Sequence, residues 1–227
     1  MRRKPAASHA HEILVDGRPV HCAARVRTWH ETGLLFERCR RRKRTDLVCL
    51  HWTGAENPPA NVFRNMRAVK PQPLSVHFMI DQAGDIYQMA DANAFCAHAQ
   101  GVNDRSVGIE IISRGDAGRE VPTRDIERDT VIEVIHGKQV KYAAFTAEQV
   151  TSTLALVRAL CEAYALPMRV PTADGEVLAR AMVEDELERF RGVIGHLHTR
   201  AGKRDPGLRL LRLVHGHGDA GEGPLVA

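Results

Sequence analysis

Asp46-Leu47-Val48-Cys49-Leu50-His51 is a short apolar run that ends on a histidine. Its length and composition predict a buried β-strand. Three further segments read the same way: Val76 to Ile80, Ser106 to Ile112, and Val193 to His196. Helical patterns lie between and beyond them. The expected fold class is therefore α/β, a mixed central β-sheet flanked by helices. In such sheets ligand residues gather at the C-terminal ends of the strands, where His51 would stand.

Outward from these strands the local signals are specific. Ile13 to Val20 predicts a hairpin turned by Asp16-Gly17. Asn61 to Arg67 predicts a short helix, and Ile86 to Met89 pairs back on the strand at 76–80 through the turn at 81–85. Residues 114–144 read as an inserted hairpin, with Thr130 to Ile135 and Gln139 to Tyr142 joined by His136-Gly137-Lys138. Thr146 to Tyr164 is the clearest helix. Thr146 and Gln149 form a capping box, Phe145 and Val150 a staple, and Val150, Leu154, Val157, Cys161 and Tyr164 one apolar face. Leu166-Pro167 ends it. Residues 174–191 read as a second, helix-like insertion.

The chemistry concentrates in two places. His51 closes the first strand. Near the other end, Gly195-His196 is followed nine residues later by Asp205-Pro206-Gly207, with Lys203 two residues before the aspartate. Two imidazoles and a carboxylate are a suitable donor set for zinc, with a fourth position left for water. Such a site lowers the pKa of water and polarises a carbonyl, so the segments point to a zinc hydrolase. Asp205 also belongs to a turn motif that needs no metal. His198 competes with it as third ligand, because i and i+2 of a strand share a face. Glu110 lies within an apolar strand, a costly place for a carboxylate without a partner or a use.

These segments carry a family resemblance. Leu50-His51-Trp52-Thr53, Ser75 to Asp81, Ser106 to Glu110 and the segment from His196 to Gly207 resemble, in order, motifs of the type-2 N-acetylmuramoyl-L-alanine amidases. That family includes phage endolysins, recycling amidases and peptidoglycan recognition proteins. The resemblance covers about residues 46–214, with two insertions. It implies Zn2+ held by His51, His196 and Asp205, with Glu110 as general base and Lys203 stabilising the oxyanion. His98, in Cys96-Ala97-His98-Ala99, resembles a groove segment of the family and implies a substrate contact. His77 reads as packing. Val76 stands where some endolysins carry a tyrosine, which places more of the chemistry on Glu110.

The implied activity is hydrolysis of the amide between the lactyl group of N-acetylmuramic acid and L-alanine, with peptidoglycan or muropeptide as partner. The other reading is a peptidoglycan-binding module without catalysis; retention of all three candidate ligands argues for the enzyme.

Bulk properties fit one domain. The chain has 227 residues, 44% of them hydrophobic and 26% charged, with a net charge of +4. The expected division is an N-terminal extension over 1–45, partly disordered, the zinc amidase domain over 46–214, and a flexible tail over 215–227. Cys22, Cys39, Cys49, Cys96 and Cys161 form an odd, scattered set, which suits a reducing compartment. The basic start lacks the apolar stretch of a secretory signal. A cytoplasmic protein with no membrane partner is expected, with release to the cell wall only by a separate route. Arg38 to Arg44 holds six basic residues out of seven. Such a run is ordinarily a solvated face, and nucleic acid is not the expected partner.

Overall fold

A computed structural model of the chain describes residues 11–36, 40, 42, 44–116 and 128–219. The expected disordered start and the end of the tail lie outside these residues. In chain order the elements begin with β1 (Glu12–Val15), β2 (Arg18–His21), β3 (Val26–Thr28), α1 (Trp29–Thr32), β4 (Leu47–Trp52) and α2 (Pro59–Ala68). There follow β5 (Phe78–Ile80), β6 (Ile86–Gln88), β7 (Ser106–Ile111), β8 (Thr130–Ile135), β9 (Lys138–Ala143) and α3 (Ala147–Ala163). The last are β10 (Thr172–Ala173), β11 (Glu176–Val177), α4 (Glu184–Arg189), β12 (Gly192–Gly195) and α5 (Leu208–Asp219).

Six strands form one mixed sheet in the order β12-β4-β7-β5-β6-β3. β12, β4, β7 and β5 run parallel, β6 is antiparallel to β5, and β3 is parallel to β6. Side chains alternate across a strand, so each strand feeds two cores. Val48, Leu50, Val107, Ile109, Ile111, Phe78, Ile80 and Val193 join the core that also holds Leu156, Val157 and Leu160 of α3 and Leu211 and Val214 of α5. On the opposite face Met79 packs with Val62, Phe63 and Met66 of α2. There too, Leu47, Cys49 and Ile194 pack with Leu178 and Met182. By the same alternation His51 and Glu110 stand on this second face, away from α3 and α5.

Most local expectations match. Asp16 and Gly17 have φ of 54° and 70°, the paired left-handed geometry of a type I′ hairpin turn. The Thr146–Gln149 capping box is formed in both directions. β8 and β9 pair in register from Thr130↔Ala143 to Ile135↔Lys138 as the inserted hairpin.

Other segments differ. Within the stretch read as helix-like, only Glu184–Arg189 is helical. It is preceded by the small β10–β11 hairpin, and by an extended segment whose Leu178 and Met182 are buried. α5 continues past His215, where a loose tail was expected, to Asp219. Gly218 permits this: a Cβ there would collide with the carbonyl of Met168. Within the basic run Arg42 is 3% exposed rather than solvated. It donates to the carbonyls of Ser106 and Ala92 and, at 3.0 Å, to Thr45 Oγ1.

Candidate metal centre and active site

The parallel strands deliver their C-terminal ends to one place. His51 and Glu110 are neighbours across β4 and β7, in direct register. β12 lies on the other side of β4, and the chain leaves it through a 3-10 turn, His196–His198. His196 is thus the first residue of that turn and not the last of a strand. The loop then returns to the strand end: Leu197 N donates to Asp205 O at 2.9 Å. Gly195 allows this approach, since a Cβ there would lie 2.7 Å from Pro206 Cδ.

Three donor atoms converge. His51 Nδ1 lies 3.0 Å from His196 Nδ1, His196 Nδ1 lies 3.0 Å from Asp205 Oδ2, and His51 Nδ1 lies 3.2 Å from Asp205 Oδ2. Donors about 2.0–2.1 Å from a tetrahedral zinc are about 3.4 Å apart, so this triangle needs little adjustment to hold one. All three residues are buried. Burial pushes the His51 imidazolium down to about 4 against the opposing hydrogen bond of Asp205. The ring is therefore neutral near pH 7, with a lone pair to offer. Burial alone would raise the Asp205 carboxyl, but the hydrogen bond from His196 Nδ1, with the neighbouring His51 ring, more than offsets it and keeps it ionised.

His198 is held elsewhere. Its Nδ1 accepts from Gly195 N at 3.1 Å and its Nε2 donates to Leu178 O at 2.7 Å, so neither nitrogen faces the triangle. Cys49 lies near His51 and His98 as a further grouping of potential donors. Burial, then the charges of Asp205 and Glu110, raise its thiol well above the usual range, so it stays protonated and a poor ligand.

Glu110 has one buried carboxylate oxygen, Oε2, without a hydrogen-bond partner among the described residues. Burial, then the negative charge of Asp205, push its carboxyl well up, while Lys203 pulls the other way. The lysine charge also acts on His51. The Lys203 backbone is fixed by His136, whose Nε2 donates to Lys203 O at 2.8 Å. Arg204 is engaged by Asp116, and Arg200 is exposed.

His98 is 9% exposed and sits at the back of His51, on the ring edge turned away from His196 and Asp205. It is thus brought to the site, but behind a ligand candidate. His77 is fully buried: it accepts from Gly108 N at 2.9 Å and donates to Ala94 O at 2.8 Å, the packing role expected of it.

The family described as N-acetylmuramoyl-L-alanine amidase matches residues 41–208. The chain belongs to that family. The mixed sheet resembles the Ph2119 endolysin from the Thermus scotoductus MAT2119 bacteriophage Ph2119, at 16% identity over 86% of this chain and 99% of that one, with a TM-score of 0.52. Escherichia coli AmiD, solved with an anhydro-muropeptide substrate, is 14% identical over 90% of this chain and 66% of its own, at a TM-score of 0.48. Wild-type Drosophila PGRP-LB is 19% identical over 84% and 92%, also at 0.48. No curated protein gives a significant sequence match. At these identities the likeness concerns the fold.

Sequence reading of this amidase-family chain missed Ser106 and Gly108. Both lie on β7, on the face of Glu110, and both touch His98 or its hydrogen-bond partners. The available signal was Gly108 itself: a glycine inside a strand often marks a close approach by another group.

Proposed function

We propose that the protein is a zinc-dependent N-acetylmuramoyl-L-alanine amidase. The observation that supports it most is the convergence of His51 Nδ1, His196 Nδ1 and Asp205 Oδ2 within 3.0–3.2 Å, beside a carboxylate whose Oε2 is buried and has no hydrogen-bond partner among the described residues. Bound there, zinc supplies Lewis-acid polarisation of the substrate carbonyl and activation of water.

The residues of the chain do the rest. Glu110 Oε2 accepts a proton from the attacking water and passes it to the leaving amine nitrogen of L-alanine. Its raised affinity for a proton suits a group that must both take and give one. The Lys203 ammonium meets the negative charge that grows on the carbonyl oxygen. The substrate is the lactyl-amide of peptidoglycan or of a soluble muropeptide. A protein made in the cytoplasm would reach the wall through a separate release route. Among the described residues no helix is long and apolar enough to cross a membrane.

The alternative is a module that binds peptidoglycan without cutting it. Three convergent donors and Glu110 favour catalysis, since binding alone requires none of them. Digestion of purified sacculi and of soluble anhydro-muropeptide, read by mass spectrometry, tests the reading and separates the two substrates. The expected product is a stem peptide with a free L-alanine amine, released only with zinc present. Glu110→Gln should retain about one zinc per chain while turnover falls about a hundredfold or more. Binding to sacculi without release of peptide by the zinc-loaded wild type would establish the binding module instead.

A further inference from the structure

The back of His51 is occupied by a directional chain of hydrogen bonds. Ser106 Oγ lies 2.7 Å from Val102 O and 3.2 Å from His98 Nε2. A carbonyl only accepts, so the serine proton goes to Val102 O. Ser106 Oγ is then the acceptor toward the imidazole, and His98 Nε2 carries the hydrogen. His98 Nδ1 lies 3.0 Å from His51 Nε2. A doubly protonated His98 would be a buried cation without a carboxylate among its partners, an expensive state. His98 is neutral, and its Nδ1 accepts. His51 Nε2 must therefore donate, which leaves the lone pair of His51 on Nδ1, the atom that faces His196 and Asp205.

Resting on the zinc reading above, we infer that His98 is a positioning residue: with Ser106 it fixes His51 in the Nε2–H tautomer and aims its Nδ1 lone pair at the metal. A metal-binding histidine generally needs such a partner for its other nitrogen, which sets the tautomer and the ring orientation.

The surroundings are built to hold His98 in place. Asn103 Oδ1 accepts from the backbone N–H of His98 at 3.0 Å and of Ala99 at 2.7 Å. Gly108 opens the space for the ring: a Cβ there would come within 2.6 Å of His98 Cγ. Arg42 donates to Ser106 O and pins the strand that carries the serine. The His98 and His51 rings meet edge to face, at 88° with centroids 5.1 Å apart. This arrangement commits both ring nitrogens of His98 to protein partners, Nε2 to Ser106 Oγ and Nδ1 to His51.

The test uses the full chain in three forms. His98→Phe fills the same space without an acceptor. His98→Asn places an amide oxygen near the position of Nδ1 and restores one. In zinc-free wild type, nitrogen-15 NMR of the imidazoles should show His51 protonated at Nε2. In His98→Phe, that tautomer should become mixed and the zinc Kd, measured by chelator competition, should weaken roughly 10–100-fold. His98→Asn should recover most of both. A His51 protonated at Nδ1 in the zinc-free wild type would overturn the inference, as would a zinc Kd in His98→Phe within about twofold of wild type. The wild-type spectrum needs no variant to fold, no metal and no peptidoglycan. It judges the relay even where the amidase reading fails, and that failure would appear separately as absent zinc binding or absent cleavage by the wild type.

Discussion

Lys203 shows how one side chain is tested for chemistry against position. It stands two residues before Asp205, on a loop whose carbonyl is held by His136, and its charge reaches Glu110 and His51. A cation aimed at a developing oxyanion contributes more in the transition state than to substrate binding. Lys203→Met should lower kcat about a hundredfold with KM nearly unchanged, and zinc content should persist. Steady-state kinetics on a soluble muropeptide reads this directly; a raised KM with kcat intact would make Lys203 a substrate-binding residue instead. At this scale the sequence exposed what is chemically conspicuous. His51, Glu110, His196, Lys203 and Asp205 are polar groups in apolar or turn settings, and the structure brings the three donors within hydrogen-bond range of one another. Arg42 was invisible because its partners are carbonyls far along the chain, Ala92 O and Ser106 O, and Ser106 because a serine bonded to Val102 O and His98 leaves no signal in the sequence.

The inserted hairpin β8–β9 buttresses the loop that carries Asp205. Glu133, on β8, is buried and accepts three hydrogen bonds: from Tyr142 Oη at 2.7 Å, from Leu208 N at 2.6 Å and from Arg212 Nη1 at 2.7 Å. Leu208 is the first residue of α5, so the carboxylate satisfies one of the amides that a helix start leaves open. Gly207 lies just before it, under the Tyr142 ring, where any Cβ would clash. Glu133→Ala leaves a buried hydroxyl and a buried amide without an acceptor. Each such group costs about 1–3 kcal/mol, so a loss of roughly 2–4 kcal/mol in urea unfolding is expected, together with weaker zinc binding as Asp205 loosens. Unchanged stability would show that water replaces the carboxylate as acceptor. The hairpin was legible in sequence because alternation and the His136-Gly137 turn are local signals. The segment 174–191 was not: its acidic run reads as helix, yet burial of Leu178 and Met182 against Leu47, Cys49 and Ile194 holds the chain extended ahead of α4. The continuation of α5 was hidden for a related reason. Gly218 looks like a helix breaker in sequence and is a contact requirement in space.

Across the whole molecule the sheet's second face stores an unusual amount of neutral imidazole. His51 and His198 are pushed down to about 4, in each case chiefly by burial. His77 and His98 are also pushed well below the ordinary range by burial, with Arg42 adding to both. In the unfolded chain each of these rings takes up a proton near pH 6.5. Between that pH and the depressed folded values the unfolded state binds more protons, so stability is full above about pH 6.5 and falls as pH drops. Glu110 runs the opposite way: its raised carboxyl holds a proton in the folded state at pH values where the unfolded one has lost it, so its contribution falls as pH rises. Going from about pH 7.5 to about pH 5.5, an imidazole held down to about 4, as His51 and His198 are, costs on the order of 1 kcal/mol, and the Glu110 carboxyl acts in the opposite direction. With four imidazoles against one carboxyl, the zinc-free protein should lose unfolding free energy over this interval, measured in urea at each pH. His77→Gln separates the rings from the rest of the molecule. The amide can accept from Gly108 N and donate to Ala94 O as the imidazole does, but it does not titrate. Its loss over the same interval should be smaller than that of the wild type. A variant that follows the wild-type curve would mean that His77 is already charged in the folded protein, and that the Arg42 guanidinium beside it, 3.2 Å from Nε2, does not keep it neutral.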